Sequence, residues 1–484
     1  MRRGFLFIVP VFLMSAVYAQ EVGRPITLQE CYDMAAQKNT LIMQAKHALK
    51  ASEYNLEAEK RSYFPKVDLL AGYNYLGKPL EINLQQVKDG IVEGSSQQSV
   101  NTANEVFNQI TGQHLPQQVQ DRIFNATQRI LNTVYPDYNP ALSKQQYFTA
   151  SLGFREAIYL GGKLSAVKDL AQARVTSGEL NRQVVEKELY LLIGLQYLRI
   201  MYLNNILGHE ERIVDAFRKN RDYAASLKAN EILPPYLLNW AKVSLVQAES
   251  RYRNQQLEKQ NALLELNKLM GLPLDTVINI TDTLKYIPAA IHTATTPDFY
   301  QQNPAYRLLE SKSSLAEVAV KTTRSLSLPN IFAIGNVSLY RKDLPLTMPP
   351  WLVGVEMQWN LFDGFQKQKR VKASKQLVEE TRMLTENTRS SLEVRLQVCI
   401  NKMNALKNDV AALDTARQQA RLTTTLIEER MKTEMSSVKD VNDALLIEEE
   451  MEKIYYTGVL GYYLALAEYW SIVGTPQRLQ EFIK

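Results

Sequence analysis

Between Phe365 and Thr457 the chain runs for 93 residues without a glycine or a proline, the two residues that most often stop a helix. Within that run Met403, Leu406, Val410, Leu413, Ala420 and Ile427 recur in three-, four- and seven-residue steps, the seam of a coiled coil. A turn is expected near Glu434 to Val438, where Ser436 and Ser437 can cap the returning helix. The outgoing helix, Phe365 to Lys432, would be about 100 Å long at roughly 1.5 Å per residue. A compact domain has no use for a rod of that length. The first half repeats the plan from Lys163 to about Lys228, with its turn marked by Pro234-Pro235.

Two stretches break the helical pattern in the same way. "FPKVDLLAGYNY" begins at Phe64 and "LPNIFAIGNVSLY" at Leu328, each with a proline (Pro65, Pro329) ahead of an alternation of apolar and small or polar residues. The prolines lie 264 positions apart, and the same offset places Asn39 on Asn303 without a gap. A second register, offset by 203, places Gly161 on Gly364 and "LMGLP" on "IVGTP". The offsets differ by 61, so the first half carries that many extra residues between its two strands. Strands are expected at about 66–76, 147–158, 330–340 and 351–361. Val67, Leu69, Tyr73, Leu152, Phe154, Val337, Leu339, Val355, Met357 and Trp359 form the apolar set of the alternation. Roughly ten residues of this pattern suit a strand crossing an outer membrane, and equally a half-buried antiparallel sheet. Trp351, Trp359, Tyr75 and Tyr340 stand near strand ends, where an aromatic girdle would lie.

Each half therefore reads as helix, strand, loop, strand, long helix, tip, returning helix. The expected divisions are 1–19, a signal peptide; 20–273, a first repeat with an insertion at about 77–145 and long helices at 163–270; 274–300, a linker; 301–476, a second repeat with long helices at 365–473; and 477–484, a tail. Arg2 and Arg3, the apolar "FLFIVPVFLM" and the small-residue site Val17-Tyr18-Ala19 mark the signal. The charge is close to balance, 56 Lys+Arg against 51 Asp+Glu, with no basic run to suit nucleic acid. Cys31 and Cys399 read as small apolar core residues. His47, His114, His209 and His292 never approach metal-ligand spacing, and no phosphate-binding glycine loop, nucleophile-base pair or cofactor motif is present. No enzyme and no cofactor are expected. If a membrane is crossed, strands must cross it.

Strands in lipid cannot leave an unpaired edge, and four strands are too few to close a barrel. The chain must then oligomerise, two copies giving eight strands and three giving twelve. The segment "ITLQECYDMAAQKNTLIMQAKHALKASEYNLEAEKRSYFPKV", the strand exit "WNLFDGF" and the paired "GLP" and "GTP", in their order and spacing, resemble the TolC-like outer-membrane efflux family over essentially the whole mature chain. The resemblance implies a mostly α fold with a membrane β part: a homotrimer whose twelve-stranded barrel continues into a periplasmic α-helical barrel. It also implies a passive exit duct, coupled through a periplasmic adaptor protein to an inner-membrane transporter. Two other readings stay open, the exit channel of a one-step protein secretion system and a non-conducting structural coiled coil of the envelope.

In "EMSSVKDVNDALL", Asp440 and Asp443 match the aspartates that ring the periplasmic entrance in the family. Three apart, they share one helix face, and threefold symmetry would make six carboxylates, a ring that attracts cations. The plainer reading is that Asp440 serves the helix start and Asp443 is solvated. Glu434 stands where the family has glycine, and Met431 and Ser436 replace a tyrosine and an arginine. Glu231, Glu434, Ser436 and Ser437 are the expected tip and adaptor-contact residues. The first tip, "NEILPPYLLNW", has no carboxylate at the matching Leu237 and Trp240. The run Glu448, Glu449, Glu450 and Glu452 reads as a solvated helix face. In the insertion, Val119, Ile123, Ala126, Ile130 and Val134 mark one face of a helix. With the strand loops outside the cell, the insertion would cover the outer mouth or decorate the rim.

Overall fold

A computed structural model describes residues 25–75, 84–134, 146–289, 298–340, 349–433 and 435–483. The expected signal segment and Glu434 lie outside the described residues. In chain order the elements are α1 (Leu28–Lys38), α2 (Thr40–Lys60), β1 (Lys66–Tyr75), α3 (Leu84–Thr111), α4 (Gln117–Val134), β2 (Gln146–Leu160), α5 (Lys163–Ala229), α6 (Pro235–Met270), α7 (Pro304–Ser325), β3 (Asn330–Tyr340), β4 (Trp351–Gln358), α8 (Gln366–Lys432) and α9 (Val438–Val473). Both α5 and α8 are unbroken over 67 residues. The described chain divides into two units. One takes in Met1–Gln44, Val184–Asn303 and Ser391–Lys484; the other Ala45–Gln183 and Pro304–Ser390.

The first unit is helical, and the ends of α6 and α9 share one construction. The amide of Leu272 bonds the carbonyl of Asn267 at 2.9 Å and that of Gly271 bonds Lys268 at 3.1 Å. Thr475 to Trp470 (2.8 Å) and Gly474 to Ser471 (3.2 Å) repeat this at the end of α9. Such 6→1 and 5→2 bonds need a left-handed residue after the helix, and Gly271 and Gly474 have φ of 72° and 103°. A β-carbon on Gly271 would meet the Lys38 carbonyl oxygen at 2.5 Å, and one on Gly474 would meet that of Gln302 at 2.6 Å. Beside each contact stands a buried asparagine: Asn39 Nδ2 donates to the carbonyl of Leu269 at 2.8 Å, and Asn303 Nδ2 to that of Ile472 at 2.9 Å. Further along, Ile213, Val214 and Phe217 of α5 pack with Leu245 and Ala248 of α6 and Val441 and Leu445 of α9. Cys31 and Cys399 are buried and free.

The second unit holds one antiparallel sheet in the order β1-β2-β3-β4. Its registers put Val67, Leu69 and Tyr73 opposite Phe154, Leu152 and Phe148; Leu152 in turn faces Val337, and Val337 faces Trp351. Ala333 and Ile331 face Val355 and Met357. Because directly opposed residues share a face, one side of the sheet is apolar on all four strands, with Gln146 and Glu156 near its two ends as the polar exceptions. It is also bare: Val67 is 65% exposed and Val355 70%. The other side carries Asp68, Ser151, Arg155, Asn336, Glu356 and Gln358, with the Arg155 guanidinium over the Phe332 ring at 3.9 Å and 3.8 Å from Glu356.

Two expectations about the elements need correction. The last strand ends at Gln358, not near 361, because its partner Asn330 is the first residue of β3 and nothing lies beyond to pair with. Trp359 thus sits past the strand and donates from Nε1 to the Ser327 carbonyl at 3.2 Å. Leu339 is the extra residue of a bulge between the Ser151–Ser338 and Ala150–Tyr340 pairs rather than a register position. In the insertion the expected helix is α4, which holds Val119, Ile123, Ala126, Ile130 and Val134; with α3 before it, Val100 of α3 and Leu115 and Ile123 form a small core with Phe107, Val119 and Phe124.

Candidate functional site

The candidate site is the end of the helical hairpins where α5 turns into α6 and α8 into α9, all within the first unit. The two turns are built differently. After α5, Ile232 N–H reaches the Leu227 carbonyl at 2.9 Å, and Glu231 takes the left-handed position with φ of 60°. A β-carbon is unfavourable there, and glycine is the usual occupant. Pro234 and Pro235 then start α6; a proline in the first turn gives up only an amide that has no helical partner.

After α8, Met435 N–H reaches the Arg430 carbonyl at 2.9 Å. Ser437 caps α9 with a reciprocal box: its Oγ accepts from the Asp440 amide at 3.2 Å, while Asp440 Oδ2 accepts from the Ser437 amide and hydroxyl, each at 2.8 Å. The backbone bond from Ser437 first, and its hydroxyl second, hold the Asp440 carboxyl below the usual carboxylate range. Asp440 is therefore engaged in the helix start, as the plainer reading had it. Asp443, one turn on, is exposed, as is Asp440. Of the other expected tip residues, Glu231 and Ser437 are exposed and Ser436 half-buried. Glu434 lies outside the described residues.

Under this surface the tip is pinned by buried amides that the sequence did not single out. Asn220 Nδ2 donates to the Val438 carbonyl at 3.1 Å and to Asn442 Oδ1 at 2.7 Å; Asn442 Nδ2 reaches Ser244 Oγ at 3.4 Å. Three helices are thus tied at the start of α9. Ala224, Leu238, Ala241 and Val438 close an apolar cluster beside them. Lys439 Nζ lies over the Trp240 ring at 5.5 Å, so the first tip supplies an aromatic face where no carboxylate stands. None of these partners is near the other in sequence, so no local spacing announces them.

The glutamate run is a correction. Glu448 is 7% and Glu452 2% exposed, so the run is not a solvated face. Arg417 reaches Glu452 at 3.4 Å and Asp414 at 2.6 Å and lies 4.2 Å over the Tyr455 ring, and Arg251 reaches Glu449 at 2.6 Å. Burial is offset here by arginine partners supplied from other helices. Nearby, Glu210 Oε2 is buried with no hydrogen-bond partner among the described residues. Burial first and Glu449 second push the Glu210 carboxyl up to about 7. Burial, with Arg212, Arg421 and Arg417 adding to it, pushes His209 down to about 4. The aromatics Tyr462 and Tyr463 are packing residues: one accepts from the Ala289 amide at 2.8 Å, the other donates to the Lys285 carbonyl at 2.8 Å.

Among the described residues no group of three or more His, Cys, Asp or Glu could hold a metal ion, and no helix is long and apolar enough to cross a membrane. No protein-family model and no curated protein matches the chain. Solved structures do. A membrane protein from Pseudomonas aeruginosa superposes with a TM-score of 0.72 at 13% identity, over 93% of this chain and 90% of that one. The CmeC outer membrane channel of Campylobacter jejuni gives 0.70 at 14%, over 92% and 85%. The open state of the MtrE outer membrane channel of Neisseria gonorrhoeae gives 0.68 at 13%, over 93% and 89%. The chain has the TolC-like fold, the fold of these outer-membrane channels.

Proposed function

We propose that this protein is the outer-membrane exit duct of a tripartite efflux system. Three copies would each give four strands to one twelve-stranded barrel, and their long helices would continue it as a periplasmic tunnel. The duct would conduct passively, joined through a periplasmic adaptor protein to an inner-membrane transporter that supplies the energy.

The observation that carries this reading is the sheet. Among the described residues its edges, β1 and β4, are unpaired, and its largely apolar face is left bare. In water that combination invites aggregation; in a bilayer it is a barrel segment, provided other copies pair the edges. A homotrimer embedded in outer-membrane lipid satisfies both requirements. At the tips of the helical hairpins, Asp440 and Asp443 would form the acidic ring of the entrance, and Glu231, Glu434, Ser436 and Ser437 would face the adaptor. The two-repeat organisation of 20–273 and 301–476 is supported by the matched asparagine and glycine joints at Asn39–Gly271 and Asn303–Gly474.

Reconstitution tests the reading. The purified protein should have three times the mass of one chain in detergent and give discrete single-channel steps in a planar bilayer. A correctly sized trimer that never conducts would favour a structural envelope protein instead.

A further inference from the structure

The insertion leaves the sheet after Tyr75 and returns at Gln146, two residues that face each other at one end of β1 and β2. A segment that stayed at that end would be a cap there. Its far end is elsewhere. The Lys163 ammonium, just beyond the last residue of β2 at the opposite end of the sheet, lies over the ring of Phe107 on α3 at 4.5 Å. Arg122, on α4, acts on Lys367, in the first turn of α8 beyond β4: burial chiefly holds that ammonium below lysine's ordinary range, Asp363 opposes this, and Arg122 adds repulsion.

The lengths agree. From Gln146 to Leu160 a strand advances about 46 Å at roughly 3.3 Å per residue. From Leu84 to Phe107 a helix advances about 35 Å at roughly 1.5 Å per residue. The hairpin of α3 and α4 thus runs back along most of the sheet. The apolar face is bare, so the hairpin does not lie there. Phe107 meets the exit of β2, an inner strand of the sheet, and with the apolar face bare this sets the hairpin across the polar side and not beside one edge; the repulsion of Lys367, beyond β4, by Arg122 agrees. Its exposed surface carries the amides Gln97, Gln98, Asn101 and Asn125 together with Asp89, Glu93, Glu105, Asp121 and Arg129.

We propose that the α3–α4 hairpin is a constriction folded inside the duct along the polar face of the sheet, and not a cover over the outer mouth. The inference rests on the duct reading, which would bring three hairpins into one bore.

The test compares single-channel conductance of the full chain with that of a variant in which 85–133 is replaced by a short Gly-Ser linker. Removing a constriction should raise conductance by about twofold or more. Equal conductance from a correctly assembled deletion variant would overturn the proposal. A second variant, Phe107→Cys/Lys163→Cys in the full chain, should cross-link with a short reagent in the intact oligomer, without competition from the buried Cys31 and Cys399. Failure to cross-link would overturn the placement of the hairpin. If cross-linking succeeds but neither full chain nor deletion variant conducts, the duct itself is refuted and the constriction with it.

Discussion

The two ends of the helical hairpins in the first unit follow opposite rules. At the joints next to α1 and α7 the two halves are copies: a buried asparagine bonds a helix-end carbonyl, and a left-handed glycine packs against the preceding backbone. At the tips they are not. One tip uses a glutamate in the left-handed position and two prolines, the other a serine–aspartate capping box. The joints are fixed by backbone-to-backbone approach, which tolerates almost no variation. The tips are held by side chains, which can be exchanged one at a time. In this chain the exchange has left carboxylates on the first turns of α9 and an indole at the matching place on α6.

The largest effects should therefore fall on the joints, and equally on both. Gly271→Ala and Gly474→Ala each add a β-carbon within 2.6 Å of a backbone oxygen at positive φ, which should cost about 2–4 kcal/mol in denaturant unfolding. A large difference between the two would break the equivalence of the joints.

Between joint and tip, the buried Glu210 should give stability a pH dependence. Its folded value is about 7 against an ordinary 4.5, so in that window the folded chain holds more protons than the unfolded one. Stability then falls as pH rises through it. His209, at about 4 against an ordinary 6.5, works the other way: its contribution is lost as pH falls from 6.5 toward 4. Above about 6.5 the Glu210 term stands alone. Glu210→Gln should stabilise by about 1–3 kcal/mol at pH 8 and by little at pH 5, read as thermal midpoints at the two pH values.

At the tips the effects should be smaller and of opposite sign. Ser437→Ala removes the cap of α9 and should cost about 1 kcal/mol. Glu231→Gly relieves a β-carbon at φ of 60° and should stabilise by about 0.5–1 kcal/mol. Destabilisation by the glycine would mean that the glutamate side chain holds the first tip together.

Much of this was legible in the sequence because it is periodic or punctuated. The long helices follow from a run without glycine or proline, the strands from a proline and a two-residue alternation, and the joints from the two offsets that carry Asn39 onto Asn303 and Gly271 onto Gly474. The Ser437 cap was legible too, since a capping box is a local pattern of four residues. What escaped depends on distant partners. A glutamate run looks solvated until Arg417 and Arg251 arrive from other helices. Asn220 and Asn442 are unremarkable until packing brings them together. The insertion gave one helix face, and nothing local could say that Phe107 would return to Lys163.

The most direct test of the central claim is cation block of the reconstituted duct, comparing the wild type with Asp443→Asn and Asp440→Asn/Asp443→Asn. The first variant leaves the capping box untouched, and in the second the asparagine at 440 can still accept from the Ser437 amide. The account predicts a cation-selective conductance blocked by a trivalent cation from one side. Block should weaken in the single variant and vanish in the double. Equal block in all three proteins would contradict an acidic entrance at the second tip.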